Sequence, residues 1–123
     1  MDTNRNTKEL IKDLCSRLPY GVKVLVDNKH WIDFDGRTPS KLTFDNSYRL
    51  LYVGTDLGYV KPYLFPLSSM TEEQKSQYSF FLTRIIDAYD SSLLIDWLNK
   101  NHFDYRGLIP KGLAIDATGL NIY

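Results

Sequence analysis

The densest run of chemically capable side chains is His102-Phe103-Asp104-Tyr105-Arg106. An imidazole titrates near neutrality and a guanidinium forks onto phosphate or carboxylate, so His102 and Arg106 could bind an anion or do acid–base work. The same run lies where a helix should end. There a histidine interacts favourably with the helix dipole, and Asp104 and Arg106 can tie down the following turn. A small anion-binding enzyme centred on His102 and Arg106 would need both side chains in one concave pocket with a third polar group.

The other candidates are weaker. His30, Asp33 and Asp35 suggest a metal site, but on a strand the two carboxylates project to one face and His30 to the other. Two carboxylates also supply too few oxygens for a hard cation. Asp116-Ala117-Thr118-Gly119 touches the D-x-T-G pattern of acidic proteases, yet Thr118-Gly119 reads more simply as a turn. The phosphate-loop, dinucleotide, zinc-protease and nucleophile-elbow motifs are absent from the sequence. No catalytic, cofactor-binding or metal-binding residue is therefore assigned, and the balance leans away from an enzyme.

Aromatic residues are plentiful, with nine Tyr, six Phe and two Trp. On a curled sheet, Trp31, Phe34, Tyr48 and Tyr52 beside Lys23, Lys29, Lys41 and Arg49 would make a platform for stacking single-stranded bases. Fifteen basic and fifteen acidic residues cancel, however, and nucleic-acid binding draws on excess positive charge. The lone cysteine, Cys15, rules out an internal disulfide and reads as a small buried hydrophobe in an amphipathic helix.

These residues must be positioned by a folded core, and the 43% hydrophobic and 24% charged fractions suit one globular domain over 1–123. The first helix is expected to start near Asn6 or Thr7, with Leu10, Ile11, Leu14, Cys15 and Leu18 as its buried stripe, and to stop at Pro19 and Gly21. Strands are expected at Val22–Val26, Trp31–Asp35, Lys41–Phe44 and Arg49–Val53, with a short fifth element between Asp56 and Tyr63 broken by Pro62. The close spacing predicts antiparallel pairing, in a sheet that curls into a small barrel or lies against helices.

The block Val60–Tyr89 marks the change to helix. Ser69 with Glu72, or Thr71 with Gln74, can form a capping box. Tyr78, Phe81, Leu82, Ile85, Ile86 and Tyr89 then share one helical face, predicted to pack on the sheet. Phe80 points the opposite way, among Ser76, Thr83, Arg84 and Asp87. A large ring on a polar face suits a partner contact. A third helix is expected from Leu93 to about Asn101, capped by Asp90-Ser91-Ser92, followed by a short strand around Leu113–Asp116 and a tail.

Three stretches, Pro19–Val24, Val60–Gln74 and Asp96–Ala117, together resemble a group of small uncharacterised proteins encoded by Bacteroides-type gut anaerobes, often in prophage-like regions. The resemblance implies a mobile-element accessory protein and brings no activity or cofactor with it. The expectation is thus an α+β domain: an N-terminal helix, a curled antiparallel sheet or small barrel of four or five strands, two C-terminal helices and a short C-terminal strand or tail. Its expected role is a non-enzymatic protein-binding module, soluble and cytoplasmic with no membrane contact, whose partner could be a second copy. Phe80, Arg84, Tyr105 and Arg106 are the expected contact residues. Nucleic-acid binding through the sheet aromatics is the alternative, and the His102/Arg106 enzyme the third.

Overall fold

Leu10 and Leu14, one helical turn apart, set the first element, because both must be covered at once. The structure, a computed structural model, describes residues 3–27, 31–55 and 58–123, with residues 3, 4 and 53 described by backbone alone. Helix α1 (Thr3–Arg17) passes through a 3₁₀ turn at Leu18–Tyr20 and stops at Gly21, whose φ of 72° is left-handed. Its buried face carries Leu10, Asp13, Leu14 and Arg17. Cys15, expected to be buried, is exposed, since it lies about 100° around the helix from Leu14.

The protein is α+β, with an open mixed sheet in place of an antiparallel sheet or barrel. Strands β1 (Lys23–Val26), β2 (Ser40–Lys41), β3 (Val60–Pro66), β4 (Phe103–Asp104) and β5 (Ile115–Asp116) form five strands, four of them in the order β2-β1-β3-β4. β1 pairs antiparallel with β2 and β3, with Val24 opposite Pro62. β4 and β5 both pair parallel with β3, through Phe65 opposite Phe103 and Tyr63 opposite Ile115. Parallel pairing needs a long crossover, and helices α3 (Glu72–Thr83) and α4 (Ala88–Lys100) supply it between β3 and β4.

β3 runs through both of its prolines instead of breaking at Pro62. Pro62 has no N–H to give the ladder. One pair further along, the Tyr123 hydroxyl bridges the strands: it accepts from the Lys23 amide at 2.8 Å and donates to the Tyr63 carbonyl at 2.8 Å.

Two expected strands are helix or turn. Trp31–Asp35 folds as a turn, with the Phe34 amide on the Trp31 carbonyl at 3.1 Å. Asp35 accepts from the Arg37 and Thr38 amides at 2.8 and 2.7 Å. Phe44–Ser47 is a short helix, α2, which continues as a π-helical turn over Tyr48–Thr55. A capping box starts it: Thr43 and Asn46 exchange backbone-to-side-chain bonds of 2.9 and 3.3 Å. Neighbouring Leu50 and Leu51 are both buried, which a strand with one solvent face does not allow. At Gly54 an added Cβ would stand 2.6 Å from Val60, so only glycine permits this helix to approach β3.

The buried residues fall into two clusters. The larger joins Leu10 and Leu14 of α1 to Val24, Val26, Val60 and Leu64 of the sheet, with Leu42, Leu50, Leu51 and Leu108 around them. The smaller is Met70, Leu94, Leu98 and Phe103, with Tyr78, Phe81, Trp97 and Tyr105 packed half-buried against it. No helix among the described residues is long and apolar enough to cross a membrane.

Candidate functional site

The α3–α4 hairpin carries half of the exposed large apolar side chains among the described residues. α3 opens on a capping box, Thr71 with Gln74, one of the two expected from the sequence. It ends at Thr83, sooner than the apolar spacing predicts. Asp87 starts a new helix by accepting the Asp90 amide at 3.0 Å, while the Asp90 carboxylate accepts the Ile86 amide at 3.0 Å. That pair restarts the chain three residues before the expected cap at Asp90-Ser91-Ser92.

The predicted face is therefore split. Tyr78 and Phe81 turn inward to Trp97, at ring separations of 6.4 and 5.8 Å. Leu82, Ile85, Ile86 and Tyr89 face outward, with Ile86 90% and Tyr89 68% exposed. They do not pack on the sheet. α3 buries no residue completely.

Phe80 is 55% exposed, and the Arg84 guanidinium lies 4.1 Å over its ring. Among the described residues no carboxylate pairs with Arg84, which leaves its charge available to an outside group. Beside the ring a shallow apolar notch of about 400 Å³ is walled by Ser76, Gln77, Phe80, Phe81 and Trp97.

The four expected contact residues divide here. Tyr105 and Arg106 belong to a buried ionic clasp, and no ring contact, hydrogen bond or ion pair joins them to Phe80 or Arg84. At the centre of the clasp is Asp13, fully buried, whose two oxygens take Arg17 Nε at 2.9 Å and Arg106 Nε at 3.1 Å. Both guanidiniums stand 5.2 Å from the Tyr105 ring, and the Tyr105 hydroxyl donates to Asn99. Arg17 Nη2 reaches the Phe103 carbonyl at 2.6 Å. The clasp ties α1 to β4 and the turn that follows. Asp104 secures that turn by accepting the Leu108 and Ile109 amides at 2.9 Å each.

His102 and Arg106 open onto different spaces. Arg106 borders a groove of about 720 Å³ along α1, with Lys8, Lys12 and Lys111. His102 borders a separate cavity of about 470 Å³. Its ring stacks on Tyr123 at 3.7 Å, it is only 8% exposed, and its φ of 61° is left-handed. Burial, with Arg17 and Lys23 nearby, pulls its pKa down to about 4, so the imidazole is neutral at neutral pH. Tyr123 keeps 42% of its surface exposed, but its hydroxyl end is sunk between β1 and β3, and burial pushes the phenol up to about 12.

The remaining sequence candidates have local roles. Asp33 pairs with Arg49, whose guanidinium also lies 5.1 Å from Trp31 and 4.9 Å from Phe34. The bond to Arg49 holds the Asp33 carboxyl below its ordinary range. Asp35, through Thr38 and the turn amides, falls to about 2. His30 and Lys29 lie outside the described residues. Asp116 accepts the Thr118 amide at 2.9 Å. Of the expected aromatic platform, Trp31 and Phe34 are half-buried, while Tyr48 and Tyr52 stack at 4.9 Å on the π-helical turn, each 71% exposed.

Comparison with protein-family models, with curated proteins and with solved structures found no match.

Proposed function

We propose that this protein is a non-enzymatic binding module that acts through a protein partner seated on the α3–α4 hairpin. One observation carries the reading. Within the ten residues from Phe80 to Tyr89, five large apolar side chains (Phe80, Leu82, Ile85, Ile86 and Tyr89) are exposed together, with the unpaired Arg84 among them. Exposed apolar side chains gathered on one segment of a monomer are often functional. The partner it fits is a protein with an apolar ridge and a carboxylate opposite Arg84, held by a contact at the small end of the interface range. A second copy of the chain is one such partner to be distinguished by the test. The likeness of Pro19–Val24, Val60–Gln74 and Asp96–Ala117 to prophage-type proteins supports an accessory role in a phage or mobile element.

The test is a tagged pull-down from the native cell at physiological salt, with and without nuclease, using the wild type and an Ile86→Asp, Phe80→Asp double variant. A nuclease-resistant protein captured by the wild type and lost from the variant, at unchanged thermal stability, supports the reading. Capture equal in both overturns it. Sedimentation of the isolated chain separates a second copy from a different protein.

The exposed Tyr48–Tyr52 stack supports a second reading, single-stranded nucleic-acid binding. That binding would weaken steeply with added salt and with Tyr52→Ala. Salt-insensitive or undetectable binding removes it.

A further inference from the structure

We infer that the basic groove between α1 and the turn after β4 is a docking surface for the sugar-phosphate backbone of a nucleic-acid duplex, recognised by charge and not by base sequence. The chain as a whole is neutral, with fifteen basic and fifteen acidic residues, but the balance is not local. Five of the fifteen cations (Arg5, Lys8, Lys12, Arg106 and Lys111) line this one groove, against a single carboxylate, Glu9. Net charge therefore understates the field met here, since a cleft lined by one sign of charge focuses it.

Two of the cations are spare. Lys8 and Lys12 are exposed, and neither pairs with a carboxylate among the described residues. They stand about 200° around α1 from Leu10 and Leu14, so neither serves the core. Arg106 and Lys111 are held in place. Arg106 is fixed by its bond to buried Asp13 and keeps 19% of its side chain exposed, while Lys111 reaches Glu9 on α1 at 2.8 Å. That bond, together with the charges of Lys111, Arg5 and Arg106, holds the Glu9 carboxyl below its ordinary range. Behind the groove the clasp adds Arg17 and Asp13, one charge of each sign, and so leaves the excess of cations unchanged.

The lining selects the occupant. Its remaining member is Asn6, so among the described residues no apolar or aromatic side chain walls the groove. Protein interfaces have an apolar centre with aromatic anchors, whereas interfaces with nucleic acid are more polar and far more positive. Single strands are held by stacking their bases on aromatic rings, and the groove has none. The backbone of paired strands asks only for cations. Spacing agrees with this. Arg5 to Lys12 covers about 10 Å of helix axis, and one strand of a duplex carries a phosphate about every 3.4 Å along its own axis. The stripe thus spans about three successive phosphates.

The probe is a short fluorescein-labelled DNA duplex of mixed sequence, titrated with the full chain and followed by fluorescence anisotropy. Binding at about 50 mM salt should be on the order of micromolar, and about 200 mM salt should weaken it roughly a hundredfold, as four phosphate contacts require. Lys8 and Lys12 are exposed, so a Lys8→Gln, Lys12→Gln double variant should fold normally. Its affinity should fall only roughly tenfold over the same salt range, with the log–log slope smaller by about two. Glu9→Gln, which removes the one carboxylate and releases Lys111, should tighten the complex several-fold. Tyr52→Ala should leave it unchanged. The site is overturned if the duplex does not bind or if the double variant keeps the wild-type slope. Tighter binding to the single strand, lost with Tyr52→Ala, would overturn it in favour of the tyrosine stack. Poly-glutamate or phosphatidylserine vesicles binding as tightly as the duplex would overturn it in favour of an acidic protein or a membrane surface. None of these variants alters Phe80 or Ile86, so failure here is distinguishable from failure of the partner-binding face.

Discussion

The two apolar clusters are built on opposite principles. In the larger, α1 and the sheet close over side chains with almost no remaining exposure: Leu14, Val22, Val24, Leu50, Leu64 and Leu108 are all at 0%. In the smaller, α4 gives Leu94 and Leu98 to the interior, while α3 gives only half-buried Tyr78 and Phe81 and leaves the Phe80–Tyr89 segment outside. Burial on both sides of an element locks it. Burial on one edge leaves an element whose free energy can still be lowered by a partner. The first cluster therefore maintains the fold, and the second presents a surface.

The sharpest way to break this division is to attack the clasp that ties α1, which serves the first cluster, to β4, which serves the second. Asp13→Ala leaves the fully buried Arg17 without a carboxylate, and should cost about 3–5 kcal/mol in urea denaturation. A loss under 1 kcal/mol would mean that the clasp is more open to water than its burial indicates. Leu64→Ala, at the centre of the sheet, should cost about 2–5 kcal/mol by the same measurement.

His102 gives a pH-dependent test at the edge of the second cluster. Its folded pKa, about 4, lies below its ordinary value of 6.5, chiefly through burial and then through Arg17 and Lys23. A group depressed in this way stabilises the fold fully above pH 6.5, and the contribution is lost as pH falls towards 4. The expected loss across that window is at most about 3 kcal/mol, and His102→Gln should flatten it. An unchanged slope in that variant would assign the pH dependence to the carboxylates.

At the small end, Phe80→Ala and Ile86→Ser should each move stability by about 0.5 kcal/mol or less, as surface changes do. A Tm drop of many degrees in either would show that the segment is core after all and would erase the contrast. Hydrogen exchange offers an independent reading: α3 amides should exchange faster than those of α1 and β3.

Much of the local structure was legible in the side chains. Pro19 and Gly21 stop α1, Thr71 with Gln74 starts α3, and Ile115–Asp116 is a strand, all where the sequence places them. Two signals were equally local and were outweighed by β-branched and aromatic content. Thr43 with Asn46 is a capping box, and the chain it starts is helical through the predicted strand Arg49–Val53. Asp87 with Asp90 is a helix start, and it divides one long amphipathic face into two helices. Phe80 was legible as an anomaly because its periodicity is wrong for the face beside it. The place of Arg106 in the clasp was not, since its partner Asp13 lies 93 positions away and nothing in the spacing links the two.

What the sequence by itself determined are the features a residue settles with neighbours a few positions away: caps, stops, turns, and the α+β alternation. Only the tertiary structure decided that the sheet is mixed, that Asp13 is shared by two arginines, and that His102 is strained and unpaired beside a cavity. The reason is physical. Those three depend on which distant segments meet, and such meetings are chosen by total burial and pairing, which no local pattern encodes.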